Sequence, residues 1–346
     1  LKTINVGVIG AGGIATGQHL PALVKQPDVK IVAICDTNPE HLVRAKEKFG
    51  IPHAFDDYKR MLEMDEIDAV HVCTPNIMHM PQTVDALNAG KHVLVEKPLA
   101  RNAEEGAKMV EVARANKKKL MVAHNMRFNS ESQMVKRFID AGELGEIYFG
   151  RVLALRRRGI PSWGVFTNKE LQGGGPLIDI GVHVLDLAMY LMGHPKPVAV
   201  SGSVYTKIGN TPGHTGVWGS WDHTAYTVED YAAALIRYEN GCSLVIESSF
   251  AANLGDEKMQ VSLMGTKAGA DVFPPKIYSE AHDTILDITP IHLAGCQPYE
   301  AEVRGFLDSI INDTEPPVTG EQSLNVMKIL DAIYKSGEEK REIVID

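Results

Sequence analysis

The chain reads as two α/β domains, a doubly wound parallel sheet followed by a domain with a largely antiparallel open sheet. Three observations predict this. Apolar runs alternate with helical patterns over the first 125 residues, and a glycine-rich turn follows the first run. After about residue 125, strand-like runs follow one another in series. At 346 residues the chain is also too long for one ordinary core. The expected domains are 1–125 and 126–346.

In the first part the runs are 4–10, 29–36, 68–74, 91–96 and 119–124, rich in Val, Ile and Ala with little polar alternation. Strands buried on both faces have that composition. Helical patterns at about 39–49, 77–89 and 103–116 lie between them, and such alternation implies right-handed βαβ crossovers. Pro21 is expected to shorten or kink the first helical segment. In the second part, a helix near 130–141 ends at Gly142, a strand is expected at 146–158, and an apolar helix follows Gly173–Gly175. Strands are expected near 197–206, 228–239, 243–252 and 258–264, read as one antiparallel sheet, with Asn240-Gly241 marking a hairpin. Residues 207–224 read as a long surface loop, and helices near 299–312 and 321–336 close the chain.

Composition bounds the class. Hydrophobic and charged contents of 44% and 23% are those of globular proteins. A formal charge of −9 argues against nucleic acid or an anionic membrane as the main partner. The four cysteines show no CxxC spacing, and Cys35 and Cys73 fall in expected buried strands, as free core thiols would. With no leader before the first strand and no uncharged run of spanning length, a cytoplasmic location is expected.

The first run ends in Gly10-Ala11-Gly12-Gly13-Ile14-Ala15, which is GxGxxA. Gly10 permits the tight turn, Gly12 and Gly13 let the backbone approach a pyrophosphate, and Ala15 allows close helix–strand packing after Ile14. Asp36 ends the second strand, 21 residues beyond Ala15, where a carboxylate can accept from ribose hydroxyls. No Arg or Lys follows it until Arg44, which favours NAD over NADP. Ligands bind beyond the carboxyl ends of parallel strands. Thr74-Pro75-Asn76, His79 one turn later, and Glu96-Lys97-Pro98 are therefore further cofactor candidates.

Within GGGPLIDIGVHVLDLAMYLMG (173–193), Asp179 and His183 share one face of an otherwise core-like helix. A buried, mutually satisfied pair is the bland reading; a pair turned to a substrate is the sharp one. Arg127 reads as a sugar contact or as an ion pair at a domain interface. Arg158, nearest the Trp163 loop, is a candidate pocket residue, and Trp163 either packs on cofactor or sugar or anchors its own loop. Asp186, one turn beyond His183, reads as its supporting partner. An Asp–His metal site lacks a clear third ligand, so no metal is expected.

The GAGGIA turn, Asp36, CTPN, EKPLA and GGGPLIDIGVHVLDL together resemble the Gfo/Idh/MocA family of sugar and polyol oxidoreductases, in the expected order along nearly the whole chain. The resemblance implies a Rossmann domain, then an α/β domain whose open sheet often forms an oligomer interface. It also implies a cis Lys97–Pro98 bond and catalytic roles for Lys97, Asp179 and His183. On that reading His183 is the general base, with Lys97 the alternative proton acceptor; Asp179 orients His183 or holds a sugar hydroxyl, and Lys97 stabilises the reacting oxygen. The three also contact the substrate, a sugar, sugar derivative or cyclitol. A homodimer or homotetramer is expected. The competing readings are a redox-neutral NAD-dependent glycosidase or lyase and a non-catalytic NAD-sensing protein.

Overall fold

The protein is described by a computed structural model covering residues 3–345. It divides into two compact units, each with one sheet.

The first sheet has six parallel strands, β1 (Ile4–Ile9), β2 (Val29–Cys35), β3 (His53–Phe55), β4 (Ala69–Val72), β5 (His92–Glu96) and β6 (Leu120–Ala123), in the order β3-β2-β1-β4-β5-β6. This is the Rossmann order, in which the chain reverses direction across the sheet between β1 and β4. The strands β1, β4, β5 and β6 are almost wholly buried, as their unbroken apolar runs demand. The three-residue β3 escaped the sequence reading because it is short and half exposed. Pro21 acts as expected: a π-helical turn, Ala15–His19, gives way to a single short helix, Leu20–Val24.

The first unit also takes back Gln297–Leu324, which corrects the expected division of the chain into 1–125 and 126–346. The helix Pro298–Ile311 buries Val303, Phe306 and Leu307 on one face. Phe306 meets the ring of His71 on β4, with centroids 5.8 Å apart, and Arg304 reaches Asp28 at 2.8 Å. That apolar stripe is visible in the sequence, but which sheet it covers is not.

The second sheet has nine strands: β7 (Ile147–Leu155), β8 (Pro197–Tyr205), β9 (Tyr231–Tyr238), β10 (Ser243–Ser249), β11 (Lys258–Gly265), β12 (Gly269–Asp271), β13 (Lys276–Ala281), β14 (Thr284–Ile288) and β15 (Ile343–Val344). Their order is β14-β13-β12-β11-β7-β10-β9-β8-β15. Asn240-Gly241 does form the β9–β10 turn, with Gly241 at φ 87°. The sheet is largely antiparallel, as expected, with β10 running parallel to β7. The helical segment between β7 and β8 supplies the crossover that a parallel pair requires.

No strand or helix interrupts residues 206–230, the expected long loop. The buried carboxylate of Asp230 anchors its start, accepting the N–H groups of Ile208 (2.6 Å) and Gly209 (2.7 Å) as well as that of Lys207. The stretch Lys169–Leu191 is long and apolar enough by composition to cross a membrane, yet 83% of its apolar window is buried inside the fold.

Candidate active site

The ends of β1, β2 and β4 are tied together where the glycine turn begins. Gly10 donates to the Cys35 carbonyl, and Cys73 donates to the Ile9 carbonyl, both at 2.8 Å. Gly10 adopts φ 96°, and a Cβ there would stand 2.4 Å from the Cys73 carbonyl oxygen, so only glycine fits. At Gly12 and Gly13 the reverse holds, since an added Cβ would meet nothing within 4 Å. Ile14 is half-buried, and Ala15 is fully buried where the helix leaves the strand. Open space beside two glycines at a helix start suits the pyrophosphate of a dinucleotide.

Asp36 stands at the rim of this cradle. Its carboxylate accepts the Ala11 N–H at 2.6 Å and the Asn38 N–H at 2.8 Å, which fixes it against the glycine turn. A carboxylate has acceptor capacity beyond two bonds, so ribose hydroxyls can still be held. Pro75 and Asn76 start the next helix, and Thr74 donates to Gln82 at 2.6 Å.

Two of the cofactor candidates lie deeper than the sequence reading placed them. His79 is fully buried, with Nδ1 2.8 Å from the Pro98 carbonyl and Nε2 2.9 Å from the Thr74 carbonyl, so it staples two strand ends together. Burial lowers its pKa, and the two carbonyls restore part of the loss. Glu96 is also buried, accepting the Lys97 main-chain N–H at 3.0 Å and meeting His19 Nε2 at 2.8 Å. Both hold the cradle from beneath. Lys97 itself is half-buried, and its bond to Pro98 is cis.

In the second unit, the helical segment that carries Asp179 and His183 is buried at every position from Gly174 to Met189 except those two. The core-like pattern therefore has a purpose: it embeds a helix that opens at a single polar spot. The glycines before it allow a close approach to buried groups. A Cβ on Gly174 would lie 1.9 Å from the Tyr334 hydroxyl, and one on Gly175 2.6 Å from the Glu229 carbonyl. The buried Glu229 carboxylate accepts the N–H groups of Gly175 (2.9 Å) and Leu177 (3.1 Å) and the Tyr334 hydroxyl (2.9 Å). The glycines thus bring the helix start onto an internal carboxylate, which satisfies orphan N–H groups there. Burial raises the Glu229 pKa, partly offset by those donors.

Arg156 is the arginine whose guanidinium feels the charge of Asp179. Burial lowers the Arg156 pKa, while the charges of Asp179 and Glu257 raise it again. Its guanidinium lies over the rings of Trp218 (4.6 Å) and Phe250 (5.6 Å). Arg158 instead ties down its own strand end, reaching the Ala252 carbonyl at 3.0 Å and Asn253. Trp163 is 55% exposed and leans on Trp218, 5.5 Å between centroids, which fits loop anchoring.

Arg127 resolves to an ion pair, though within the second unit. Its Nε and Nη2 donate to the two Asp186 oxygens at 2.8 and 2.7 Å, and the side chains are 2% and 1% exposed. The sugar-contact reading of Arg127 does not survive this burial, and both Asp186 oxygens face Arg127. Sequence reasoning missed His19, Arg156 and Glu229. Only Arg156 left a signal, its place on the same strand face as Arg158.

Known proteins resemble the chain along its whole length. Residues 4–124 match the GFO_IDH_MocA oxidoreductase family, NAD-binding Rossmann fold, and residues 132–271 match the GFO/IDH/MocA C-terminal domain. The chain is 38% identical to D-glucoside 3-dehydrogenase of Escherichia coli (strain K12), over 97% of this chain and 95% of that protein. It is 28% identical to the scyllo-inositol 2-dehydrogenase (NADP(+)) IolW of Bacillus subtilis (strain 168), over 100% of this chain and 97% of that protein. Among solved structures, levoglucosan dehydrogenase in complex with NADH shares the fold, with a TM-score of 0.88 over 100% of both chains at 23% identity.

Proposed function

This chain belongs to the Gfo/Idh/MocA family of NAD(P)-dependent sugar and cyclitol oxidoreductases, and from that premise we propose that it is an NAD-dependent dehydrogenase of a secondary alcohol on a sugar ring. The observation that carries the reading is that, from Gly174 to Met189, only Asp179 and His183 are not buried. Over that stretch the segment offers one acid and one imidazole.

The open glycine turn and Asp36 fit a dinucleotide, and bound NAD would supply the hydride acceptor. His183 takes the hydroxyl proton as the carbon is oxidised, since an imidazole titrates near neutral pH. Lys97 hydrogen-bonds the reacting oxygen and stabilises its developing negative charge. Asp179 orients His183 or holds a neighbouring hydroxyl. Support for NAD over NADP comes from the Asp36 carboxylate, fixed at the cradle rim, which would repel a 2′-phosphate. The D-glucoside relative supports a glucoside as substrate, oxidised at C3.

The reading extends to a homo-oligomer. Ala233, Leu235 and Val245 lie half-buried on the sheet positions that alternate with the core, and small or apolar residues there suit burial against a second copy. Incubation with NAD and a panel of methyl glucosides, free sugars and inositols tests the activity. NADH formation with a glucoside is expected; absence of net NADH with every member of the panel would refute it.

A further inference from the structure

Lys97 sits in a turn that is held from two sides by buried groups. On one side His79 meets the Pro98 carbonyl at 2.8 Å. On the other, Glu96 accepts the Lys97 N–H at 3.0 Å through Oε2, while its Oε1 lies 2.8 Å from His19 Nε2. His19 is fully buried in the first helix, the one that the glycine turn opens. Its Nδ1 lies 3.1 Å from His71 Nδ1, and the ring of Tyr299 stands 6.1 Å away between centroids.

We propose that His19, acting through Glu96, is a positioning residue for the turn that carries Lys97. The inference rests on the reading that Lys97 touches the reacting oxygen. A carboxylate only accepts hydrogen bonds, so His19 Nε2 carries a proton whichever of the two rings donates in the His19–His71 contact. Glu96 is thereby kept ionised in the interior with one oxygen free for Lys97. Without His19, a buried carboxylate is left uncompensated; it either takes up a proton or turns toward water, and the Lys97 N–H loses its acceptor. The titratable groups facing His19 are consistent with this. Burial lowers its pKa, but Cys73 and then Glu96 raise it well above the ordinary value. Burial raises the pKa of Glu96, but His19 and then Lys97 lower it below its ordinary value. The pKa of His71 is lowered by burial and by His19.

Hydrogen exchange of the Lys97 amide in the wild-type protein is the first test. Protection is expected, whereas exchange at the rate of an open loop amide would overturn the proposal. The second test compares His19→Leu with His19→Gln, which keeps an N–H donor. His19→Leu is expected to lower kcat per folded molecule roughly 10-fold or more, as misplaced catalytic groups do. NAD affinity, read by fluorescence quenching, should hold, and His19→Gln should recover most of the turnover. Unchanged turnover in folded His19→Leu, or kcat and NAD affinity falling together, would overturn the assignment. Should His19→Leu fail to fold, the exchange result decides alone. A wild-type protein that oxidises no sugar would refute the functional reading and leave the exchange test intact.

Discussion

Removing one half of the Arg127–Asp186 pair is expected to destabilise the protein far more than removing both halves. Two charge-assisted bonds of 2.8 and 2.7 Å join side chains that are 2% and 1% exposed. Each such bond contributes about 1.5–3 kcal/mol, but the pair as a whole also carries the cost of desolvating two ions. The net value of the pair is therefore small, while Asp186→Ala takes the countercharge from a buried guanidinium. Breaking a buried pair from one side costs about 3–5 kcal/mol. Replacing both partners, as Arg127→Met with Asp186→Leu, is expected to lie within about 1 kcal/mol of wild type, since apolar groups of similar volume need no compensation. Urea unfolding followed by circular dichroism measures all three proteins, and initial rates measure the folded ones. If Asp186→Ala matches wild type in stability, the pair is not the buried contact described. If instead the double variant is stable but its KM for sugar rises tenfold or more, Arg127 reaches the substrate after all.

The remaining predictions concern the proposed chemistry and the buried charges. His183→Asn is expected to keep the fold and lower turnover roughly 10²- to 10⁴-fold, with loss of the acidic limb of the pH–rate profile; normal turnover with a lower Tm would make the Asp179–His183 pair structural. NAD is expected to give the higher kcat/KM, and Asp36→Ala to narrow the gap to NADP mainly by weakening NAD; equal wild-type values would refute the role of Asp36. Because His19 has its pKa raised on folding from an ordinary 6.5, its stabilising contribution is complete below that pH and is lost as pH rises through the folded value. The stability lost in His19→Gln is therefore expected to be larger at pH 6 than at pH 9 or so, as urea titrations would show, and a difference independent of pH would contradict the charge assignment. Light scattering is expected to give a multiple of 37.8 kDa, and a monomer mass would rule out the homo-oligomer.

What the sequence disclosed and what it withheld divide along one physical line. Features that depend on neighbours in the chain were legible. The period of the buried strands, the GxGxxA turn and the Asn240-Gly241 hairpin are written in consecutive residues, and so is the four-residue spacing of Asp179 and His183. Features that depend on which distant group answers a polar side chain were not. Glu229 caps Gly175 from 54 residues away, Arg127 meets Asp186 across 59, and His19 meets Glu96 across 77. In the sequence Glu229 and His19 look like ordinary surface polar residues, and Arg127, Asp186 and Glu96 stand out without disclosing these partners, because burial of a charge leaves no periodic mark. Nor does the sequence show that Gly174 and Gly175 make room for Tyr334 and Glu229. The candidate catalytic groups were thus found by local pattern. The groups that hold them in place were not, since a charge enters a core only where a partner is already waiting, and that partner is specified by the fold. It follows that variants of His19, Glu229 and Asp186 probe how the fold supports the site, while variants of Lys97, Asp179 and His183 probe the chemistry. A screen confined to residues that stand out in the sequence would miss His19 and Glu229.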